Sequence, residues 1–245
     1  MRIAAAFTVV LALSLTSIAL AEQVGGPSGP EKGDFRFGGE AIFRTNVGMD
    51  IISVLGGERV ELKSRTYYGV LEYGITDCLS IRGKAGIAEW EQDAPPPRVA
   101  FDSGLAWAAG LRWRICKPEE HGTSLALSGQ YAQTTPDDFQ FPGVPIERLQ
   151  NLETREWTAA LTVGVPHGSA RTYAGVVYSD LELDLEQYQE VVGAPDLLVP
   201  ARGQKHPHVG AVVGIDHDLG GSGFWNLEVR GFDEEGVSGS INIVF

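Results

Sequence analysis

The last nine residues of the chain alternate between an apolar and a mainly polar face. One face carries Val237, Gly239, Ile241, Ile243 and Phe245. The other carries Ser238, Ser240, Asn242 and Val244. A period of two residues is typical of a β-strand with one apolar and one polar side. The chain therefore ends in a two-sided strand whose final side chain is aromatic.

The same period recurs along the chain in ten segments. They span residues 34–45, 64–75, 78–91, 102–116, 123–133, 154–165, 169–184, 205–219, 223–232 and 237–245. Most approach the roughly 9–11 residues that a tilted strand needs to cross a bilayer. Short connections at 76–77, 117–122, 166–168 and 220–222 alternate with long ones at 46–63, 92–101, 134–153 and 185–204, and only the last outer connection, 233–236, is tight. This layout predicts an all-β, antiparallel up-and-down transmembrane barrel of about ten strands, with eight strands as the alternative.

The two faces of these segments indicate which side of the barrel meets lipid. In segment 102–116, Leu105, Trp107, Leu111 and Trp113 lie opposite a face of small residues and arginines. Apolar-face aromatics form one level near the short turns (Phe37, Tyr73, Trp113, Tyr173, Trp225 and Phe245) and another near the long loops (Phe43, Tyr67, Trp107, Tyr131 and Trp157). Two such levels match the aromatic girdles of a membrane barrel. The alternative is a soluble β-sandwich or lipocalin-like barrel, in which these aromatics would form the core.

The start of the chain has the pattern of a secretory signal peptide. Arg2 precedes an apolar stretch, and Ala19-Leu20-Ala21 precedes Glu22. We expect cleavage after Ala21. Residues 22–33 are rich in Gly, Pro and polar side chains, which predicts a flexible lead. The predicted organisation is a signal peptide (1–21), an N-terminal lead (22–33) and a barrel domain (34–245).

Charge and composition narrow the function classes. The chain has 32 acidic and 19 basic side chains, a formal net charge of −13 at pH 7, which argues against a nucleic-acid partner. Its 31 glycines and 2 methionines favour strands and turns over helices.

These patterns resemble a known class of protein. The signal peptide, the strand repeat YYGVLEYGITDCLSIRGKAGIAEW (67–90) and the ending SGSINIVF are similar to the small Gram-negative outer-membrane barrels of the OmpA-transmembrane, OmpX and opacity-protein type. The resemblance covers residues 34–245 and concerns architecture, since those families commonly have eight strands. It implies an outer-membrane location, insertion by the barrel-assembly machinery with Phe245 as the C-terminal assembly signal, and roles in surface interaction, adhesion or envelope integrity.

The polar faces predict a charged lumen. The expected network comprises Arg36, Glu40, Arg44, Glu72, Arg82, Lys84, Arg112, Arg114, Glu156, Asp180, Glu182, Asp216, Asp218 and Glu228. Unpaired buried charges are unfavourable, so the basic and acidic sets should pair across the barrel. We interpret the network as a structural plug, and the alternative is a charged constriction that selects ions.

The two cysteines of this exported chain predict a disulfide. Cys78 should begin the third segment and Cys116 should end the fourth, around a hairpin whose midpoint by numbering is residue 97. That register sets the two residues opposite each other at the short-turn rim, both facing the lumen.

The sequence indicates no catalytic, cofactor or metal site. His206 and His208 share one face, but a metal would need a third ligand from a loop, and neither a G-x-S-x-G nor an H-E-x-x-H pattern occurs. We therefore expect a non-catalytic outer-membrane protein with a structural or surface-interaction role through its outer loops. Its expected partners are outer-membrane lipid, the assembly machinery and an extracellular ligand. The alternatives are a narrow porin-like channel for small solutes or ions and, second, an outer-membrane hydrolase.

Overall fold

A computed structural model describes residues 23, 26, 28–53, 56–92, 99–116, 122–136, 139–140, 147–189, 197–220, 222–232 and 235–245. The strands are β1 (Phe35–Ser53), β2 (Gly56–Gly74), β3 (Leu79–Gln92), β4 (Val99–Cys116), β5 (Ser124–Thr135), β6 (Phe139–Gln140), β7 (Glu147–His167), β8 (Ala170–Gln189), β9 (Leu197–Gly220), β10 (Gly223–Gly231) and β11 (Glu235–Val244). Apart from the two-residue β6, ten long strands form the barrel within these described ranges. The predicted fold class and strand number are confirmed.

Each long strand pairs antiparallel with its neighbours along the chain, and β5–β7 and β1–β11 complete the ring. At the β1–β11 seam, Phe35 and Phe245 exchange backbone hydrogen bonds of 3.2 and 2.8 Å. Closure matters because an open strand edge would expose unpaired backbone groups to lipid. The described part of the chain holds no helix with the length and apolarity needed to cross a membrane.

Two of the predicted long loops are largely strand. β1 and β2 continue as a hairpin until Ser53 lies opposite Gly56, and β8 and β9 continue until Gln189 lies opposite Leu197. The loop predictions for 46–63 and 185–204 were therefore wrong over most of their length. The backbone remains paired there, but the outward face carries charged side chains such as the exposed Glu61. Charge on the outward face weakens the alternation of apolar and polar residues from which strands are predicted. Residues 93–98 of the predicted connection 92–101 and the predicted signal peptide, residues 1–21, lie outside the described residues.

The barrel changes its strand number along its axis. The β10–β11 hairpin is short, and beyond it β1 pairs directly with β9, from Asp50 opposite Gln204 to Ser53 opposite Ala201. Over the described residues, the short-turn end is therefore built from ten strands and the outer end from eight.

The assignment of faces is confirmed for most strands. In β4, Leu111 and Trp113 are 55% and 51% exposed, whereas Arg112 between them is 5% exposed. Aromatic rings meet on the outer surface at the upper level, where Tyr131 lies 5.5 Å from Trp107 and 4.8 Å from Trp157 between ring centroids. Apolar side chains thus face outward, as lipid requires.

Strand β8 has the opposite orientation to the one predicted. Tyr173, Val177 and Leu181 are buried inside, so Tyr173 does not belong to the aromatic level. Glu182 is exposed, and Asp180 lies outside the lumen at an irregularity between Ser179 and Leu181. Both faces of β8 carry apolar side chains, so its alternation is ambiguous. Glu182 lies beyond Trp157, where an outward charge meets water rather than lipid, whereas Oδ1 of Asp180, level with Trp157, is buried.

Two layers fill the lumen. The layer toward the outer end is apolar and consists of Ile42, Val47, Met49, Leu62, Tyr68, Val70, Ala88, Trp90, Ala106, Leu152, Leu181 and Leu183. Its one indole N–H is satisfied, because Trp90 Nε1 donates to Thr134 Oγ1 at 3.1 Å. The layer toward the short turns is polar and charged, and Arg44 extends it to the level of Trp90, so the two layers overlap.

Candidate functional site: the charged lumen

Glu72 is the centre of the charged layer. It is completely buried on β2, and three arginines from β1, β3 and β4 surround it. Its carboxylate lies 3.2 Å from Arg36, 3.4 Å from Arg82 and 3.1 Å from Arg112. Ser80 Oγ donates a further hydrogen bond of 2.6 Å. These strands are neighbours in the sheet, so their inward-facing side chains at similar heights along the barrel axis reach the same carboxylate.

Two further ion pairs lie higher in the lumen. Lys84 Nζ is 2.8 Å from Glu40 and lies 5.4 Å from the centroid of the Tyr68 ring. Arg44 on β1 is 2.5 Å from Glu156 on β7, and Thr158 Oγ1 also donates to Glu156 at 3.2 Å. The Arg44–Glu156 pair crosses the barrel, because β1 and β7 are not neighbours in the sheet.

A hydrogen-bonded chain of two acidic side chains, Tyr173 and Asn226 occupies the opposite wall. Tyr173 Oη donates to Glu228 at 2.8 Å, and Asn226 Nδ2 donates to Tyr173 Oη at 2.9 Å and to Asp216 Oδ1 at 2.6 Å. The sequence prediction included Glu228 and Asp216 but missed Tyr173 and Asn226. Tyr173 and Asn226 lie among Gly, Ser and Asn positions that carry no charge, so a search for charged positions does not select them. The alternation of β8 also predicts the wrong face for Tyr173.

The predicted network is therefore distributed over three places. The structure brings together Arg36, Glu40, Arg44, Glu72, Arg82, Lys84, Arg112, Glu156, Asp216 and Glu228 inside the barrel. Arg114 and Asp218 lie at the short-turn rim, where Arg114 donates to the carbonyl of Asp77 and Asp218 accepts from Gly220 N–H at 2.7 Å. Asp180 and Glu182 lie outside the lumen, as described above.

The N-terminal lead also belongs to the lumen. Its described residues Gln23, Gly26 and Pro30 are buried, and Ser28 lies among the arginines. The carbonyl oxygen of Ser28 accepts hydrogen bonds from Arg36 at 3.0 Å and from Arg112 at 2.6 Å. The prediction of a flexible lead was wrong for these residues. Glycine-rich segments lack periodicity, so their sequence does not reveal a partner inside the barrel.

Little space remains between these side chains. Two voids beside Gln23 each measure about 20 Å³, which is close to the room that one water molecule needs. A pocket of about 300 Å³ opens at the short-turn rim and reaches Ser28 and Arg36. A further concavity of about 1490 Å³ lies mainly on the outer surface over small residues such as Gly83 and Gly129, where lipid chains have access.

The cysteine register differs from the predicted one. Cys78 lies in the turn before β3 and is free and exposed, and no disulfide occurs among the described residues. The carbonyl oxygen of Cys78 accepts a 2.7 Å hydrogen bond from Arg114 N–H, while Ser80 lies opposite Arg112. Cys78 is therefore level with Arg114 and not with Cys116. The β3–β4 turn is centred before residue 97, because Gln92 pairs with Val99.

A metal site has no support within the described part of the chain, where no group of three or more His, Cys, Asp and Glu residues is arranged to hold an ion. The side chains of His206 and His208 lie outside the described set. His217 points outward and its ring lies 5.5 Å from that of Trp225.

Comparison with known proteins rests on structure. No protein-family model and no curated protein matches this chain. The outer-membrane protein OprG from Pseudomonas aeruginosa aligns with 89% of this chain and 98% of its own length, at 11% identity and a TM-score of 0.50. The chain has the fold of the Gram-negative outer-membrane barrels.

Two further outer-membrane barrels are similar over most of their length. The outer-membrane protease OmpT from Escherichia coli aligns with 91% of this chain and 97% of its own, at 8% identity and a TM-score of 0.46. The outer-membrane protein AlkL, solved in DMPC bilayers, aligns with 92% and 96%, at 11% identity and a TM-score of 0.41. At identities this low the comparisons concern the fold alone, so any activity has to be inferred from the residues of this chain.

Proposed function

We propose that the chain is an integral outer-membrane protein with a closed, non-catalytic barrel that acts through its outer end. The observation that carries this proposal is the filled lumen. An apolar layer and an ionic layer overlap in the lumen, and Arg44 meets Glu156 from the opposite wall. Among the described residues, the two voids beside Gln23 measure about 20 Å³ each, which is close to the room that one water molecule needs.

The outer end supports a surface role because it is a paired, folded extension of the barrel. Its outward face carries a small charged cluster on β7, β8 and β9. Arg155 lies 2.8 Å from Glu153 and 3.6 Å from Asp184, and Arg202 lies 3.3 Å from Asp184. Arg202 is 86% exposed and the other three side chains are partly exposed, so their pairing contributes little to stability and leaves them available to an extracellular ligand.

Two other partners follow from the same architecture. The apolar outward band fits outer-membrane lipid. The seam between Phe35 and Phe245 joins the first and last strands and closes the ring. We therefore expect the barrel-assembly machinery to bind the C-terminal strand, whose edge is exposed until the ring closes.

Single-channel recording in a planar bilayer tests the closed lumen. The purified barrel should insert and produce no stable conductance steps. Insertion is verified in the same sample by heat-modifiable migration and by labelling of a cysteine at position 202, where the arginine is 86% exposed. Stable, reproducible steps from verified barrels would refute the proposal and favour a narrow channel.

A further inference from the structure

The N-terminal segment turns back at the rim and enters the barrel. Gly33 N–H donates to Gly74 carbonyl at 2.9 Å, and Asp34 N–H donates to Glu31 carbonyl at 3.1 Å. Gly33 has a φ of +89°, the left-handed conformation that glycine adopts without strain. The turn reverses the chain just before β1, so the residues that precede it run along the inside of the wall.

Inside the lumen, Ser28 is held by both its carbonyl and its hydroxyl group. Arg36 and Arg112 donate to the carbonyl oxygen. Arg171 donates to Ser28 Oγ at 2.7 Å, and that hydroxyl donates to Asp216 at 2.6 Å. Charge-assisted hydrogen bonds of this kind are among the stronger ones in proteins. Ser28 therefore links β1, β4, β8 and β9.

Higher in the lumen, Gln23 is 3% exposed. Its side-chain amide donates to Asn226 Oδ1, and its backbone carbonyl accepts from Lys84 Nζ at 3.4 Å. Gln23 also borders both small voids. The segment thus fills the space between the charged wall and the Tyr173–Asn226 wall.

The fit requires glycine at one position. A Cβ atom at Gly26 would lie 2.7 Å from Cε1 of Tyr173 and closer still to Asp216. At Gly29 the same atom would meet Ser80 Oγ at 3.5 Å and Arg112 Cδ at 3.8 Å, which is ordinary contact. The site therefore discriminates between neighbouring positions of the segment, as a peptide-binding site does.

We propose that the charged half of the lumen is a specific binding site for the chain's own N-terminal segment. Its described residues Gln23, Gly26 and Ser28 lie between the two walls, and the site admits no larger side chain at Gly26. This inference rests on the proposed function, because both require a lumen filled by protein.

A thiol reporter within the segment tests the site. Gly29→Cys is introduced into the full chain with Cys78→Ser and Cys116→Ser, and the folded barrel is exposed to a soluble thiol reagent. Labelling should be at least about tenfold slower in the processed barrel than in the same chain carrying Gly26→Leu, since protection follows the free energy of local opening. Lys32→Leu, an exposed change in the same segment, is the matched control and should keep the reporter protected.

Heat-modifiable migration verifies that each barrel has folded. If Gly26→Leu prevents folding, Ser28→Ala replaces it, because it removes only the hydroxyl between Arg171 and Asp216, and a smaller acceleration is expected.

The outcomes separate the inference from the proposed function. Fast labelling of a processed barrel that is silent in the bilayer overturns the binding site and leaves the closed barrel standing. Conductance from a processed barrel with a protected reporter overturns the closed barrel instead.

Discussion

Glu72 provides the sharpest test of the charged lumen. The change is Glu72→Gln, which keeps the shape of the side chain and removes its charge. Three arginines then face each other around a neutral amide. At an effective dielectric constant of about 20, each pair at 3.1 to 3.4 Å has a direct attraction of roughly 5 kcal/mol. Desolvation offsets most of this, so we expect the free energy of unfolding to fall by about 3–5 kcal/mol, as for other broken buried pairs.

The measurement is reversible urea unfolding from lipid vesicles, followed by tryptophan fluorescence and by heat-modifiable migration. Glu182→Gln is the matched control, because it makes the same chemical change on an exposed side chain. It should change the stability by no more than about 0.5 kcal/mol. Arg82→Met should recover part of the loss in the Glu72→Gln background, since it removes one of the uncompensated charges. Equal effects of Glu72→Gln and Glu182→Gln would refute the assignment of the two side chains to the inside and outside of the barrel.

Three further predictions concern the membrane. Leu111→Arg on the lipid-facing side of β4 should lower stability in bilayers by about 2–4 kcal/mol, while Leu111→Ile should change it little, and an equal effect of the two would invert the faces. In a Cys78→Ser background, an impermeant thiol reagent on intact cells should label Arg202→Cys at the outer end but not Ser169→Cys at a short turn, and labelling only at the latter would reverse the orientation. Deletion of Phe245 should reduce folded protein in the outer membrane and increase periplasmic degradation, because it removes both backbone hydrogen bonds to Phe35 at the seam, and normal amounts of heat-modifiable protein in the deletion strain would contradict this.

Much of the fold could be predicted because lipid imposes a simple rule on each strand. A strand such as β4 must turn apolar residues outward and keep polar or small residues inside, so its period of two is visible without any knowledge of its neighbours. The same rule fails in β8, where Val176 and Val177 place apolar side chains on both faces. It also fails at the outer ends of β1 and β2, where water and not lipid surrounds the outward face.

The candidate site was harder to predict because its contacts are remote in sequence. Arg44 and Glu156 could be assigned to the lumen from their own strands, but no local pattern indicates that they meet across it. The N-terminal segment is the clearest case. Its fit depends on Tyr173, Asp216 and three arginines contributed by β1, β4 and β8, and its own composition predicts only a loop.

The change from ten strands to eight along the axis has a consequence for the diameter of the barrel and for its similarity to smaller barrels. Because barrel diameter grows roughly linearly with strand number, the outer end should be narrower than the inner end by about a fifth. The contact that would close an eight-stranded ring already exists between β1 and β9, and the β10–β11 hairpin widens that ring only on the short-turn side. The molecule therefore resembles a small eight-stranded barrel into which one hairpin has been inserted at the inner end.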